Sequence, residues 1–269
     1  KSGGAAVSLL TAANNGLRIT ESTSTTVGTA LGVGVHPQTT FTNTVNGSPV
    51  NSVAANIVGA TIGGGGFLDF TGPPARSNSV GGHFGTVGGG LQNGAYGTAA
   101  VVSGGRMNGA SADYASIAGG AGNGATGHHS AIGGGLNNIA NDEGATIGGG
   151  QYNGAAGYNA TIGGGYLNST SSAYSVVGGG YTNNASAQNS TVSGGQGNTA
   201  SGMSSTIGGG ADNSAAGDYS VAMGRRAKTL GNGSFQFADS SNFDFSSSTV
   251  NAFRVRATGG VRFVTDIDG

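Results

Sequence analysis

From residue 86 to 235 the chain repeats one pattern of apolar, polar and small positions every fifteen residues. Units begin at Thr86, Val101, Ser116, Ala131, Thr146, Thr161, Val176, Thr191, Thr206 and Val221, without an insertion. The second position is a branched aliphatic residue: Val87, Val102, Ile117, Ile132, Ile147, Ile162, Val177, Val192 and Ile207, ending at Ala222. We read this column as the core. The eighth position is Asn93, Asn108, Asn123, Asn138, Asn153, Asn168, Asn183, Asn198 and Asn213, and then Lys228. The tenth is Ala in eight of ten units, and the fifteenth is Ala or Ser until Phe235.

Within a unit, "A-T-I-G-G" alternates small, polar and aliphatic residues, the period of a strand. Five residues later "N-x-A-x-G" offers a second short alternation. Two short strands and two turns per unit predict one rung of a parallel β-solenoid, stacked about 4.8 Å from the next. The Asn column is expected to mark a turn, because Asn tolerates left-handed backbone and bonds nearby peptide groups. Stacked amides would add a ladder. Left-handed hexapeptide solenoids need a period divisible by six, and nonapeptide calcium repeats need an Asp in each turn. Residues 86–220 hold only Asp113, Asp142, Glu143, Asp212 and Asp218, at unmatched positions. Lyase-type β-helices use longer rungs.

Burying one Ile contributes about 1.5–3 kcal/mol. Ordering each of fifteen residues costs roughly 1–2 kcal/mol, and glycine loses more than most. One aliphatic column is too lean to offset this alone. The third and fourth positions are almost always Gly, Ser or Ala, which suggests that another backbone approaches there. We therefore expect a homo-oligomer with the flat Thr-x-Gly face turned inward, most simply a trimer.

Composition narrows the class. Of 269 residues, 58 are Gly, only 8% are charged, and Cys and Trp are absent. Low charge argues against a disordered chain, and no strict Gly-X-Y period supports collagen. The formal net charge of −1 gives no electrostatic footprint for nucleic acid or anionic lipid. No apolar run approaches the ~20 residues of a membrane helix, so direct membrane insertion is not expected. The first residue is Lys1 rather than Met, so we expect a processed chain or a fragment.

Units spelled "ATIGGGxxNxAxGxxA", and the entry "NSVAANIVGATIGGGG" at 51–66, resemble the head repeats of YadA-like trimeric autotransporter adhesins. The resemblance covers roughly residues 50–235, with more Gly than the commoner "SxAxG" spelling. It implies a left-handed parallel β-roll made by three copies of the chain. The tail "GSFQFADSSNFDFSSSTVNAFRVRATGGVRF" at 233–263 resembles segments that precede phage-tailspike-type intramolecular chaperone domains. Neither a chaperone sequence nor a β-barrel anchor is present in the chain, which keeps a tail fibre of a phage or contractile injection system as the alternative.

We expect three regions: a connector over 1–50, β-roll head repeats over 51–235, and a Phe-rich C-terminal neck or foot over 236–269. "LLTAANNGLRI" predicts a hairpin turning at Asn15-Gly16. "FLDFTGPPARS", inside an insertion at about 66–80, predicts an outward loop. "AFRVRATGGVRFV" predicts a hairpin around Gly259-Gly260. The foot carries Phe235, Phe237, Phe243, Phe245, Phe253 and Phe263, expected to pack centrally. Arg225, Arg226 and Lys228 are expected to pair with acids such as Asp239 or Asp244.

No active site is legible. Asp142 and Glu143 are neighbours and read as solvated surface. His128 and His129 are the candidate metal ligands if three copies met at an axis, although adjacent strand residues would point opposite ways. No cofactor is expected. The eight tyrosines avoid the core column and read as outward residues that cover chain edges. Tyr152, Tyr158, Tyr166 and Tyr181 are the candidates for contact with a glycan or protein receptor. The expectation is a non-enzymatic extracellular or cell-surface fibre, with a virion or injection-machine tail as its rival. Ice binding would need an unbroken Thr array, and the first-position column is too mixed for that.

Overall fold

A computed structural model describes residues 10–11, 17–18, 32–33, 43–67 and 76–263. Among them the chain is all-β, without a helix, and forms parallel β-solenoid coils of fifteen residues. The coils fall into two compact units, Lys1–Asn137 and Asn138–Gly269.

In the first unit Leu10–Thr11, Leu17–Arg18 and Gly32–Val33 form a small antiparallel sheet. The predicted turn at Asn15-Gly16 lies outside the described residues. The solenoid begins at Thr44–Val45, ahead of the boundary expected at 51, and pairs in parallel with Thr61–Ile62. Thr61 then pairs directly with Thr86, so the insertion is left out of the ladder. A lone antiparallel bridge between Phe67 and Arg76 closes its base. Residues 68–75, including Pro73-Pro74, lie outside the described residues. Further coils stack through Val101–Val102, Ser116–Ile117 and Ala131–Ile132, with Gly94–Ala95, Gly109–Ala110 and Gly124–Ala125 forming the second sheet.

The second unit repeats the plan. One sheet stacks Thr146–Ile147, Thr161–Ile162, Val176–Val177, Thr191–Val192 and Thr206–Ala211. The other stacks Ile139–Ala140, Gly154–Ala155, Ser169–Thr170, Asn184–Ala185, Thr199–Ala200 and Ser214–Ala215. Coiling continues past 235: Val221–Arg225, Phe235–Ala238 and Phe253–Arg256 all pair in parallel. Phe253–Arg256 is therefore another solenoid strand, and residues 261–263 have no strand partner among the described residues. The hairpin expected at Gly259-Gly260 is absent among the described residues, where Phe253–Arg256 ends the sheet with one edge paired to the preceding coil.

Each regular coil buries more than its aliphatic residue. Val87, Val102, Ile117, Ile132, Ile147, Ile162, Val177, Val192 and Ile207 are at most 2% exposed, and the Ala columns at positions ten and fifteen lie beside them. The eighth-position Asn residues are buried as well. Asn153 shows how they are satisfied. Its Nδ2 donates to Gly149 O and Gly165 O, both at 3.0 Å, while its Oδ1 accepts the Asn168 backbone N–H at 2.9 Å. All three polar functions are used, which removes the cost of burying an amide. Within the first unit the same links run from Asn123 through Asn108, Asn93 and Asn78 to Asn51. Those two earlier members share an "Asn-Ser-Val" spelling, as Asn51–Val53 and Asn78–Val80, that betrays them in the sequence.

The structure corrects the reason given for the Asn column. Left-handed backbone sits at positions seven and fourteen, for example Leu167 (φ 54°), Thr182 (φ 54°), Tyr174 (φ 58°) and Tyr219 (φ 57°). Non-glycine residues pay for that conformation, about 1–2 kcal/mol each. Coil-to-coil bonds hold it: Tyr174 N–H donates to Tyr158 O at 2.8 Å, and Thr182 N–H to Tyr166 O at 2.9 Å.

The third-position glycines do meet another backbone, a Cβ on Gly148 striking Gly163 O, but it is the next coil of the same chain. Fifth-position glycines such as Gly150 (φ 87°) and Gly165 (φ 93°) adopt left-handed backbone, and a Cβ there would strike the carbonyl of the next coil's glycine. Close approach is thus between successive coils of one chain. A Cβ on the fourth-position Gly149 would meet nothing within 4 Å.

Candidate functional site

Outward positions are what this fold can offer a partner, because the interior of the regular coils is closed. In the second unit Tyr166 and Tyr181 occupy the same place in successive coils and form parallel bridges with Gln151 and Gln196. Their rings stack at 5.5 Å with planes 5° apart, and Tyr152 meets Tyr166 edge-on at 5.7 Å. Tyr158 is elsewhere, paired edge-on with Tyr174 at 5.6 Å. The four candidate residues therefore separate into a three-ring strip and a two-ring corner. Stacking turns the Tyr166 and Tyr181 faces toward each other, so the strip shows edges and hydroxyls outward rather than a flat platform.

His128 and His129 lie in a turn rather than on a strand, which removes the alternation argument applied to them. The His129 ring stacks on Tyr114 at 5.0 Å, and its backbone N–H donates to Asp113 O at 3.1 Å. Asp113 accepts the Thr98 N–H at 2.7 Å, and that bond, aided by the nearby histidines, holds its carboxyl below the ordinary range. Among the described residues no three His, Cys, Asp or Glu side chains come together as metal ligands. Asp142 and Glu143 are exposed, and Asp142 Oδ1 accepts the Glu143 N–H at 2.8 Å.

The last coils differ in both faces. Along the inward column Ile207 gives way to Ala222 and then Gln236, which is 1% exposed and donates through Nε2 to Phe245 O. Along the outer face, alternation places Val221, Met223, Phe235, Phe237, Phe253 and Val255 on three successive strands. Phe235 and Phe253 stack at 5.0 Å, yet Phe253 remains 67% exposed. Central packing of the phenylalanines, as expected from sequence, does not occur within one chain. Beside Phe237 lies a shallow hollow of about 410 Å³, floored by the small residues Gly210, Ala211, Gly224 and Ala238.

Two of the arginines around this face are paired with carboxylates. Arg226 pairs with Asp244 at 2.8 Å, and Arg256 with Asp239 at 3.0 Å. The Arg256 guanidinium also donates to Phe243 O, Ser241 O and Arg225 O, and lies 4.4 Å from the Phe243 ring centre. Sequence reasoning anticipated Asp244 and Asp239 as partners but missed Arg256. Arg225 donates to Ser240 O and Lys228 to Asp212 O, so neither takes a carboxylate. The Thr258 backbone N–H, followed by Ser241, holds the Asp239 carboxyl far below the ordinary range.

No protein-family model matches the chain, and a search of curated proteins returns no match.

Proposed function

We propose that the chain is a segment of a homotrimeric, non-enzymatic extracellular fibre that serves as an adhesive or spacer head, with left-handed coils like those of the YadA-type adhesins it resembles. The observation that carries this reading is the outer apolar face of Val221–Arg225, Phe235–Ala238 and Phe253–Arg256. Monomeric proteins rarely leave such a patch uncovered. In a parallel assembly about an axis each coil meets its own copy at the same height, where unpaired like charges would repel. The ion pairs of Arg226 and Arg256 lessen that obstacle, while Arg225, Lys228 and Arg254 donate to uncharged oxygens. Rings that protrude beside a hollow floored by glycine and alanine supply complementary shapes on one surface. Three copies of every outward residue, repeated coil after coil, favour multivalent attachment to a host glycan or protein.

The test is the mass of the native particle. The chain is 25.7 kDa, so a trimer has a mass of about 77 kDa, three times that value. A monodisperse species at the single-chain mass would overturn the reading. Recovery of the trimer with tail or baseplate proteins, rather than on intact cell surfaces, would move it to a tail fibre.

A further inference from the structure

The ladder is built in part from a chemically fragile dipeptide. Asn-Gly occurs at Asn93, Asn108, Asn123 and Asn153 within the ladder, and at Asn15, Asn46 and Asn232 outside it. Asn15 lies outside the described residues. In Asn-Gly the nitrogen of the glycine approaches the side-chain carboxamide carbon unhindered, since glycine has no Cβ and the widest backbone freedom. Ring closure needs that nitrogen free, the amide free to turn, and water at hand.

The ladder denies all three. Gly94, Gly109 and Gly154 N–H groups donate to Asn108 O, Asn123 O and Asn168 O at 2.8, 2.9 and 2.9 Å. The Asn93 amide is pinned by Gly89 O, Gly105 O and the Asn108 N–H. Asn93, Asn108 and Asn153 are each 1% exposed. Asn46 has the opposite surroundings. It is half-buried at the entry coil, Gly47 is exposed in a turn with φ 84°, and neither the Asn46 side chain nor the Gly47 N–H has a hydrogen-bond partner among the described residues.

We infer that Asn46 is a site of spontaneous deamidation, while the fold keeps the ladder Asn-Gly pairs unreactive. Gly47 N bonds to Asn46 Cγ, the Cγ–Nδ2 bond breaks, and ammonia leaves carrying the proton lost from Gly47 N. Water then opens the resulting succinimide at either carbonyl, giving aspartate or isoaspartate. The new carboxylate and, in isoaspartate, the lengthened backbone fall where Asn46 O accepts Asn51 Nδ2 at 2.8 Å. Modification therefore acts on the first member of the ladder and ages the entry coil before the rest.

Asn232 separates exposure from restraint. It is exposed, but its Oδ1 accepts the Asp218 N–H at 2.9 Å and the Gly233 N–H donates to Asp218 O at 2.8 Å. The full chain would be held at mildly alkaline pH, folded and in denaturant, and mapped by peptide mass spectrometry with isoaspartate detection. Folded, conversion at Asn46 should exceed that at Asn93, Asn108 and Asn153 by about tenfold or more, the size expected when reaction waits on local opening. In denaturant the gap should close, and Asn46→Gln should remove the signal from its peptide alone. Ladder residues converting as fast as Asn46 in the folded chain would overturn the inference. So would an Asn46 that persists folded while converting unfolded. Asn232 should lag Asn46; equal rates would overturn the role given to the hydrogen bonds.

Discussion

Two stretches of the second unit share a plan and close it differently. Between Thr146 and Ala215 each coil satisfies itself inward: an aliphatic residue, two small residues and a fully bonded Asn fill the interior, and the large outward residues are mostly tyrosines that pair with one another. Between Val221 and Arg256 Ala227 takes the place of the Asn, its N–H donating to Asn213 Oδ1 at 2.9 Å, the aliphatic column runs through Ala222 to Gln236, and large apolar residues move to the outer face. A strand has two faces, so exchanging the inner and outer sets changes what it can bind without changing how it pairs. The regular coils are bound to their neighbours along the chain. The last coils keep that ladder and add a surface that looks for cover.

The largest expected effect tests how tightly the regular coils are specified. Gly150→Ala places a Cβ in left-handed backbone against the next coil and should cost about 2–4 kcal/mol. Its neighbour Gly149 faces open space, and Gly149→Ala should move the thermal midpoint little. Similar losses from both would break the assignment of the close approach to position five rather than position four. Next, Asn168→Ala leaves Gly164 O and the Asn183 N–H without their partner, while Gly180 O keeps the Tyr166 N–H, an expected loss of about 2–3 kcal/mol by denaturant unfolding. Lys228→Ala, one position past Ala227 where the ladder has already ended, removes only the Nζ bond to Asp212 O and should be much milder.

Acid should discriminate the two stretches more gently. The folded-state carboxyl of Asp239 is depressed, so its contribution is full above the ordinary value of 3.8 and is lost as pH falls from there through the folded value. Hydrogen exchange should then rise first at Phe253–Arg256, with Thr161–Ile162 still protected; simultaneous exchange would contradict this. Smallest is Tyr166→Ala, which removes one exposed stacked pair and should cost about 0.5–1 kcal/mol, with no change in coil spectra.

Much of this architecture is legible in the sequence, because a period of fifteen without insertion leaves few ways to pair. Thr61 and Thr86 stay in register despite the intervening insertion, as the repeated "T-I/V-G-G" spelling suggests. What the sequence hides are local backbone choices. The Asn column signals a turn, yet left-handed backbone belongs to its neighbours, Leu167 and Thr182 among them, whose identities vary because the bond to the adjacent coil holds them. Runs of three glycines likewise conceal which are crowded: Gly148 and Gly150 face carbonyls of the next coil, Gly149 faces open space, and only Gly150 adds left-handed backbone. The Phe-rich end reads as a separate foot until its strands are seen to continue the same sheets at altered spacing. Of the candidate tyrosines, sequence gives the outward direction but not the division into two groups.

The central claim is that association resides in the outer face of the last coils and not in the glycine-rich ones. Native mass spectrometry of a Phe237→Ser, Phe253→Ser double variant beside the parent tests it most directly. The account predicts three chains in the parent and one in the variant, with unchanged circular dichroism from the coils. A variant that keeps the parent's mass would place the contact elsewhere and contradict it.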